Sequence, residues 1–443
     1  MADSTARMLL RIAPMTYGPV ILFGVGEGAL IPVVPVIAAQ LGADLATAGL
    51  IASMSIVGRM IGNLPAGWLV SRFGERATML GASTLGLIAV LSLALSSTLG
   101  VLSLCMLLIG VCDAAFSLAR HAFMTTRVPL YFRARALSLL GGSYRLGIFI
   151  GPFVAVLLIA LSGTEYSTAW FFSAMLAGII VLVYFGPDPE AEYESKTLPA
   201  QLGGVDPGPV DPVPAAVSAP VSAPVPRSAT GDEGKPGVFR TMWLFRGVLA
   251  RVGVAAAALS AVRSARQVVL PLWGVSIGLD SQTIAMIVGI AGAIDFALFY
   301  VSGQVMDRFG RIWAVLPSMI VMGLAFTILA FTHDLGDAAG WFAAMAFLAA
   351  LGNGFSSGIL MTVGADLAPR RDPAPFLSSW RALTDAGGAL VPLAFSGIVA
   401  LSTMGVATGL VGLIGFLGAA GFLRWMPRYV PGPERPTKPA SED

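Results

Sequence analysis

Ten ionisable residues lie inside apolar stretches of the sequence, where a charge is costly and therefore marks a functional or a paired group. The four acids are Glu27, Asp113, Asp295 and Asp385, and the six bases are Arg59, Arg120, Arg145, Arg263, Arg266 and Arg381. A carboxylate in a low-dielectric cavity tends to hold its proton and to release it when water or a cation arrives. We therefore predict that Glu27 is the proton-coupling group, with Asp113 second; a hydrogen-bonded structural acid is the alternative for each.

The bases outnumber the acids by six to four, which leaves the interior net positive and favours a substrate that is anionic or amphipathic. The candidate substrate-cavity residues are Arg145, Arg263, Arg266 and Arg381. On a helix, Arg263 and Arg266 would form one basic patch, and Arg381 would share a face with Asp385 four positions later. Pairing of these charges within the protein is the alternative to substrate binding.

The elements that position these residues are twelve apolar segments. The chain has 443 residues, of which 56% are apolar and 12% charged, a balance that excludes an ordinary soluble domain. A helix that spans a bilayer needs about 20 mostly apolar residues. The segments that qualify lie at roughly 14–39, 46–70, 77–97, 99–125, 136–161, 166–186, 250–276, 282–306, 312–332, 338–364, 375–401 and 402–426. They predict an all-α membrane protein with twelve transmembrane helices.

These segments form two groups of six, separated by a Pro/Ala-rich stretch that cannot bury a core. The predicted organisation is an N-terminal six-helix bundle at 1–186, a linker at 187–240, a C-terminal six-helix bundle at 241–427 and a tail at 428–443. Cytoplasmic loops collect Lys and Arg, and one set of loops here carries acids but no Lys or Arg. Both termini and the linker are therefore predicted to be cytoplasmic, in a multi-pass protein of the cell (inner) membrane.

The sequence matches itself at a shift of 236 residues. Gly42 falls on Gly278, Asp44 on Asp280, Thr47 on Thr283, and Arg72-Phe73-Gly74 on Arg308-Phe309-Gly310. Such an internal repeat predicts two pseudo-symmetric halves with a substrate site between them near the middle of the membrane. The halves differ where Glu27 falls on Arg263, Leu30 on Arg266, Arg59 on Asp295 and Ser71 on Asp307.

Two loops resemble a motif of the major facilitator superfamily. The family's loop 8–9 motif is similar to residues 303–311, GQVMDRFGR, and its loop 2–3 copy is similar to residues 67–76, GWLVSRFGER. The resemblance implies that Asp307 caps a facing helix and locks the cytoplasmic side, where a carboxylate is stabilised by the helix dipole. Ser71 replaces this acid in the first half and would act as a neutral cap. The implied gating residues of the two loops are Ser71, Arg72, Asp307, Arg308 and Arg311.

Residues 141–152, GGSYRLGIFIGP, resemble the helix 5 motif of the family's twelve-helix drug/proton antiporters. Gly147 and Gly151 would form a small-residue seam for close helix packing, and Pro152 would bend the helix; ordinary tight packing is the alternative to an antiporter role. In those exporters helix 4 carries an Arg four residues before a Gly, whereas here Met106 stands at that distance from Gly110. Proton coupling by that Arg is therefore not carried over.

The same resemblance implies that helices 2 and 11, and helices 5 and 8, meet across the two halves. We therefore predict two interlobe bridges, Arg59 with Asp385 and Arg145 with Asp295. These pairs would switch during gating, or, as the alternative, would be static contacts.

The sequence is most consistent with a secondary active transporter that moves a small organic solute by alternating access through proton-coupled efflux. The alternatives are proton-coupled uptake of an organic anion, which the arginines favour, and a transporter-like sensor or docking protein that uses the linker. We predict no enzymatic activity, cofactor, metal site or nucleic-acid partner. The expected partners are a small-molecule substrate, protons and the lipid bilayer, and the expected state is a monomer.

Overall fold

The structure is a computed structural model that describes residues 17–95, 98–127, 130–185, 243–369 and 374–429. All regular elements in these ranges are helices, and twelve of them are long and apolar enough to cross a membrane. We number them α1 (Tyr17–Gln40), α2 (45–73), α3 (75–95), α4 (Leu99–Arg127), α5 (Leu130–Ser162), α6 (Tyr166–Phe185), α7 (Arg246–Ser276), α8 (Ser281–Phe309), α9 (Ile312–Leu329), α10 (Ala338–Leu367), α11 (Ala374–Leu401) and α12 (Met404–Tyr429). The prediction of an all-α membrane protein with twelve spanning helices is confirmed. The predicted linker 187–240 and all but two residues of the predicted tail lie outside the described ranges.

The two halves repeat the same backbone turns at the predicted shift. Gly74 ends α2 with φ 80° and Gly310 ends α8 with φ 93°, while Gly42 and Gly278 have φ 85° and 77° in the loops before α2 and α8. A positive φ is open to Gly because it lacks a Cβ, so both copies of each turn need this residue. The pseudo-symmetry of the two six-helix bundles is therefore present in the backbone as well as in the sequence.

The helices that follow the second pair of turns also begin alike. Asp44 accepts a hydrogen bond from the Thr47 N–H at 2.8 Å, and Asp280 accepts one from the Thr283 N–H at 3.0 Å. Each carboxylate caps the start of its helix. Hydrogen bonds from the threonine hydroxyl and N–H lower the pKa of both Asp44 and Asp280 below the usual carboxyl value.

We call the membrane face with the α2–α3 and α8–α9 loops the arginine-rich side, and the face with Asp44 and Asp280 the acidic side. The halves contact each other through α2 with α11 and through α5 with α8, as the family resemblance implies. On the acidic side, the Ser281 hydroxyl also donates to Glu165 Oε1 at 3.0 Å and links the two halves there.

Glycines set the distance between α1 and α5. A Cβ on Gly147 would lie 2.8 Å from the Ile21 carbonyl oxygen, and one on Gly151 would lie 2.5 Å from the Ala29 nitrogen. The seam predicted in α5 is thus in tight contact with backbone, which accounts for Gly147 and Gly151 by packing alone. Pro152 lies within the continuous helix α5.

Candidate functional site

Two cavities lie between the halves. The central cavity has a volume of about 320 Å³ and is lined mainly by α1 and α5 of the first half and by α7 and α8 of the second. The second cavity, of about 310 Å³, lies toward the arginine-rich side and is lined by α1, α2, α4, α5 and α11. Arg59 and Tyr144 line both cavities, so these two residues lie between them.

The first half contributes a cluster of two acids and one base at this position. Arg59 Nε lies 2.5 Å from Asp113 Oδ2, and an Arg59 terminal nitrogen lies 3.4 Å from Glu27 Oε1. The Tyr144 hydroxyl donates to Glu27 Oε2 at 2.6 Å. Glu27 is buried and lines the central cavity, whereas Asp113 lines the second cavity. One guanidinium therefore serves two carboxylates, which makes the cluster neutral with one proton bound and negative with none.

Close packing of α2 on α4 creates the Arg59–Asp113 pair. A Cβ on Gly62 would lie 2.8 Å from the Val111 Cα, and one on Gly110 would collide with the Ser55 carbonyl. Because glycines let the two backbones approach, Arg59 reaches the acid on the adjacent helix of its own half. The small residues at Gly58, Gly62 and Gly110 were a sequence signal for this contact.

The predicted bridge between Arg59 and Asp385 is wrong. Asp385 instead accepts a hydrogen bond from Asn63 Nδ2 at 3.0 Å, across the α2–α11 contact, and lies 3.9 Å from Arg381 Nε of its own helix. The neutral amide of Asn63 on α2 thus makes the interlobe contact that was predicted for Arg59. The reason is that Arg59, one turn before Asn63, is already paired with Asp113 and Glu27 of its own half.

The second half contributes a cluster around Asp295. Arg266 lies 3.1 Å from Asp295 Oδ2, and Asn353 Nδ2 donates to the same oxygen at 2.6 Å. Arg145 of the first half lies 3.8 Å from Asp295 Oδ1, so the second predicted interlobe bridge is present in the structure. Arg263 makes a long hydrogen bond of 3.5 Å to the Ser356 carbonyl, where α10 is interrupted before Gly358.

The charge signs of the two clusters are opposite at equivalent positions. In the first half, α1 carries the acid Glu27 and α2 carries the base Arg59. At the equivalent positions, 236 residues later, α7 carries the base Arg263 and α8 carries the acid Asp295. In each half the first helix pairs with the second, although Arg266, one turn after Arg263, provides the contact in the second half. The duplication therefore retained a paired site and exchanged its polarity.

Arg381 does not line the central cavity as predicted. Its side chain is about half exposed and lines the second cavity together with Asp385. Arg145, Arg263 and Arg266 do line the central cavity. Although Arg381 is the sequence equivalent of Arg145, it lies away from the central space that Arg145 reaches.

The gating loops make contacts within their own halves. The Ser71 hydroxyl donates to the Trp68 carbonyl of its own helix at 2.9 Å, and among the described residues no N–H of a facing helix donates to it as the predicted neutral cap requires. Arg311 Nε pairs with Asp366 Oδ2 of α10 at 3.0 Å, which ties the start of α9 to the second half rather than to the first.

Among the described residues, Arg72 and Arg308 each contact an aromatic ring of their own helix. Arg72 lies over the ring of Trp68 at 5.8 Å, and Arg308 over that of Phe309 at 5.6 Å. The side chain of Asp307 lies outside the described part of the structure.

Sequence reasoning missed four residues of the site. Tyr144 donates to Glu27 and Asn353 to Asp295, and Phe149 of α5 stacks on Phe296 of α8 with ring centroids 5.8 Å apart. Tyr144 stands beside Arg145 in a Ser-Tyr-Arg triplet whose repeat is Ser379-Trp380-Arg381, and this repeat was the available signal. Asn353 and the aromatic pair carried none, because neutral polar and aromatic residues are common in membrane helices.

Comparisons with known proteins agree with this architecture. A family model described as Major Facilitator Superfamily matches residues 20–392 and 252–442. A comparison with curated proteins finds no match. Among solved structures, a D-xylose-proton symporter is similar with a TM-score of 0.67 and 16% identity, over 96% of this chain and 98% of that one.

Two further solved structures show the same fold. The inward-open xylose transporter XylE from E. coli has a TM-score of 0.68 and 15% identity, over 97% of this chain and 98% of that one. A POT family transporter in complex with 5-aminolevulinic acid has a TM-score of 0.69 and 12% identity, over 94% and 96%.

Proposed function

The chain belongs to the major facilitator superfamily, and on this basis we propose that it is a secondary active transporter that couples the movement of a small organic solute to protons. The family points to a transporter and not to an enzyme. The solute would bind in the central cavity between the halves and be released by alternating access. In this proposal the arginine-rich side faces the cytoplasm of a cell-membrane protein.

The observation that carries proton coupling is the cluster of Glu27, Arg59 and Asp113. Two carboxylates that share one cation do not both remain ionised without cost, so the cluster takes up a proton readily. Glu27 lines the central cavity and Asp113 the second, and Arg59 and Tyr144 lie between them. A proton on Glu27 therefore responds to the solute beside it, while Asp113 faces the space on the arginine-rich side.

Efflux is the direction that the helix 5 resemblance favours. The alternative direction is uptake together with a proton, which two observations support: the arginines of the central cavity, and the similarity to a D-xylose-proton symporter. Both directions use the same coupling cluster. They differ in whether proton and solute bind together or in turn.

The test uses purified protein in liposomes with an imposed pH gradient and an internal fluorescent pH reporter. Anionic, neutral and cationic solutes are added in turn, and solute-dependent proton movement is compared between wild type and Glu27→Gln. We expect proton movement with at least one solute class and its loss in the variant. Undiminished proton movement in Glu27→Gln would refute Glu27 as the coupling group.

The sensor or docking alternative is tested separately by deleting residues 187–240. A transporter should retain solute flux without this segment, since none of the site residues belongs to it. Loss of function with intact solute flux would instead support the docking role.

A further inference from the structure

The central cavity carries more positive charge than the protein neutralises. Arg145 and Arg266 share a single carboxylate, Asp295, while Arg263 has no carboxylate within 4 Å among the described residues. In the first half, Arg59 is matched by Glu27 and Asp113. With every carboxylate ionised, the two clusters together have a net charge of about +1, and with one proton on the Glu27 cluster about +2.

The donors of these arginines are also largely unused. A guanidinium has five N–H donors, yet within the described ranges Arg145, Arg263 and Arg266 make only two hydrogen bonds, one to Asp295 and one long bond to Ser356. Nε of Arg266 is buried without any partner. Buried donors normally have a partner, so the unpaired Nε of Arg266 and the few hydrogen bonds of the guanidinium groups around it suit this cavity to a ligand that supplies acceptors.

The cavity wall also has an apolar and aromatic part, beside polar residues such as Ser260, Ser264 and Gln267. The stacked rings of Phe149 and Phe296 lie on it, together with Ile148 and Leu270. The rings form an interplanar angle of 11° across the contact between α5 and α8. A planar apolar group fits beside such a pair, because offset stacking and burial of apolar area both stabilise it.

We propose that the solute is a small organic anion with an aromatic body, whose anionic group binds the guanidinium of Arg263 between Arg145 and Arg266. We further infer that a proton on the Glu27 cluster strengthens this binding. The proposal rests on the proposed function, since it assigns the solute of the same central cavity. Arg263 is the anchor because its charge is the one that no described carboxylate offsets.

The sign of the coupling follows from the charges around Glu27. Ionised Glu27 repels an anion in the same cavity, whereas the protonated form does not, and anion binding must favour protonation by the same factor. Among the described residues, the charged or titratable groups that line the two cavities around this cluster are Arg59 of α2, Asp113, Arg120 and His121 of α4, Tyr144 and Arg145 of α5, Arg263 and Arg266 of α7, Asp295 of α8, and Arg381 and Asp385 of α11. Arg59 and Tyr144 lie between Glu27 and Asp113, and an arginine keeps its charge in proteins. Cooperative binding of proton and anion corresponds to movement in the same direction, which is the uptake alternative.

The test is equilibrium binding of benzenesulfonate to the purified full-length protein in detergent, measured by isothermal titration calorimetry at pH 8 and pH 5.5. A sulfonate keeps its charge over this range, so a change in affinity reports the protein. Benzenesulfonamide is the neutral control of the same shape. We expect benzenesulfonate to bind at least about 10-fold more tightly than the amide, and about 5-fold or more tightly at pH 5.5 than at pH 8.

Two arginine variants test the anchor. Arg263→Gln should lower the affinity for benzenesulfonate at least about 10-fold and leave the affinity for benzenesulfonamide unchanged. The affinity of Arg263→Lys for benzenesulfonate should be intermediate, since lysine keeps the charge but lacks the planar guanidinium. Arg424→Gln is the matched control, because Arg424 is exposed on α12 over the ring of Trp425. Unaltered benzenesulfonate affinity in a folded Arg263→Gln protein would overturn the assignment, as would equal affinities for the sulfonate and the amide in wild type.

The Glu27→Gln variant tests the coupling sign. At pH 8 this variant should bind benzenesulfonate with the affinity that wild type has at pH 5.5, and its affinity should not depend on pH. Tighter binding of wild type at pH 8 would overturn the cooperative sign and favour exchange. The binding assay involves no pH gradient, so its result can differ from that of the liposome assay. Selective binding of the anion without proton flux in liposomes would support the proposed solute class and reject the proposed proton coupling. Proton flux with cationic solutes alone would support proton coupling and reject the anionic solute.

Discussion

The Tyr144 hydroxyl donates to Glu27 Oε2 over 2.6 Å and so joins α5 to α1 at the centre of the first half. The contact lies within the glycine seam of these helices, where a Cβ on Gly24 would come within 2.8 Å of the Tyr144 carbonyl oxygen. Without this close approach the phenol would not reach the acid. A packing motif therefore sets the geometry of a buried polar site.

Tyr144→Phe should slow proton-coupled flux by about 10-fold, the order expected when one hydrogen bond to a charged group is removed. The ring remains, so packing against α1 is retained. The measurement is the initial rate of proton movement in liposomes. Tyr184→Phe, which alters an exposed tyrosine of α6, is the control and should match wild type; a Tyr144→Phe rate equal to wild type would remove Tyr144 from the coupling site.

A double-mutant cycle on Arg59 and Asp113 should show strong coupling. Arg59→Met leaves Glu27 and Asp113 without their cation, whereas Asp113→Leu leaves Arg59 with Glu27 as its remaining carboxylate; we expect each to lower stability by about 1–3 kcal/mol. The double variant should lose less stability than the sum of the two single changes, because it removes the unpaired Asp113 and leaves Glu27 bonded to Tyr144. The readout is the melting temperature of the purified protein in detergent.

The companion cycle uses Arg59→Met with Asp385→Leu. No ion pair joins these two residues although both line the second cavity, so the coupling between their effects on stability should be clearly weaker than that between Arg59 and Asp113. Strong coupling in this cycle, with none between Arg59 and Asp113, would contradict the pairing that the structure shows.

Gly151→Ala should destabilise the protein by about 1–3 kcal/mol. The new Cβ would lie 2.5 Å from backbone atoms of Gly28 and Ala29, which cannot move aside as a flexible side chain would. Gly141→Ala on the same helix is the control, because no heavy atom lies within 4 Å of a Cβ there. Comparable melting temperatures for the two variants would show that α1 and α5 are not in tight contact.

Asp280→Ala should cost about 1 kcal/mol of stability at neutral pH through the loss of a helix cap. Hydrogen bonds from the Thr283 hydroxyl and N–H lower the pKa of Asp280, so its contribution is complete above the usual carboxyl pKa, about 3.9, and is lost as the pH falls through the lowered folded value. Melting temperatures of wild type and variant should therefore converge in acid. Asp280→Asn keeps an uncharged cap, and its difference from Asp280→Ala should not change with pH.

Some of the site followed from sequence by local rules. Glu27, Asp113 and the arginines stand out because a charge inside an apolar helix is costly wherever the helix packs. The caps at Asp44 and Asp280 depend on residues three positions away. The bridge from Arg145 to Asp295 was predicted from the family resemblance, which implied that helices 5 and 8 face each other across the halves.

The choice of partner for Arg59 could not be made in this way. Asp385 and Asp113 both carry the right charge, and the decision depended on how near α2 lies to α4 and to α11. The distance between α2 and α4 is set by several glycine contacts along the two helix surfaces.

By itself, the sequence determined the all-helical class, the number of spans, the duplication and the identity of the buried charges, because hydropathy, periodicity and the cost of a charge in lipid are properties of each segment. Only the tertiary structure decided which charges neutralise each other. It placed two acids on Arg59 and two arginines on Asp295, and left Arg263 in the central cavity without a carboxylate among the described residues. The physical reason is that ion pairing depends on distances of a few ångströms between helices far apart in sequence, and packing sets those distances.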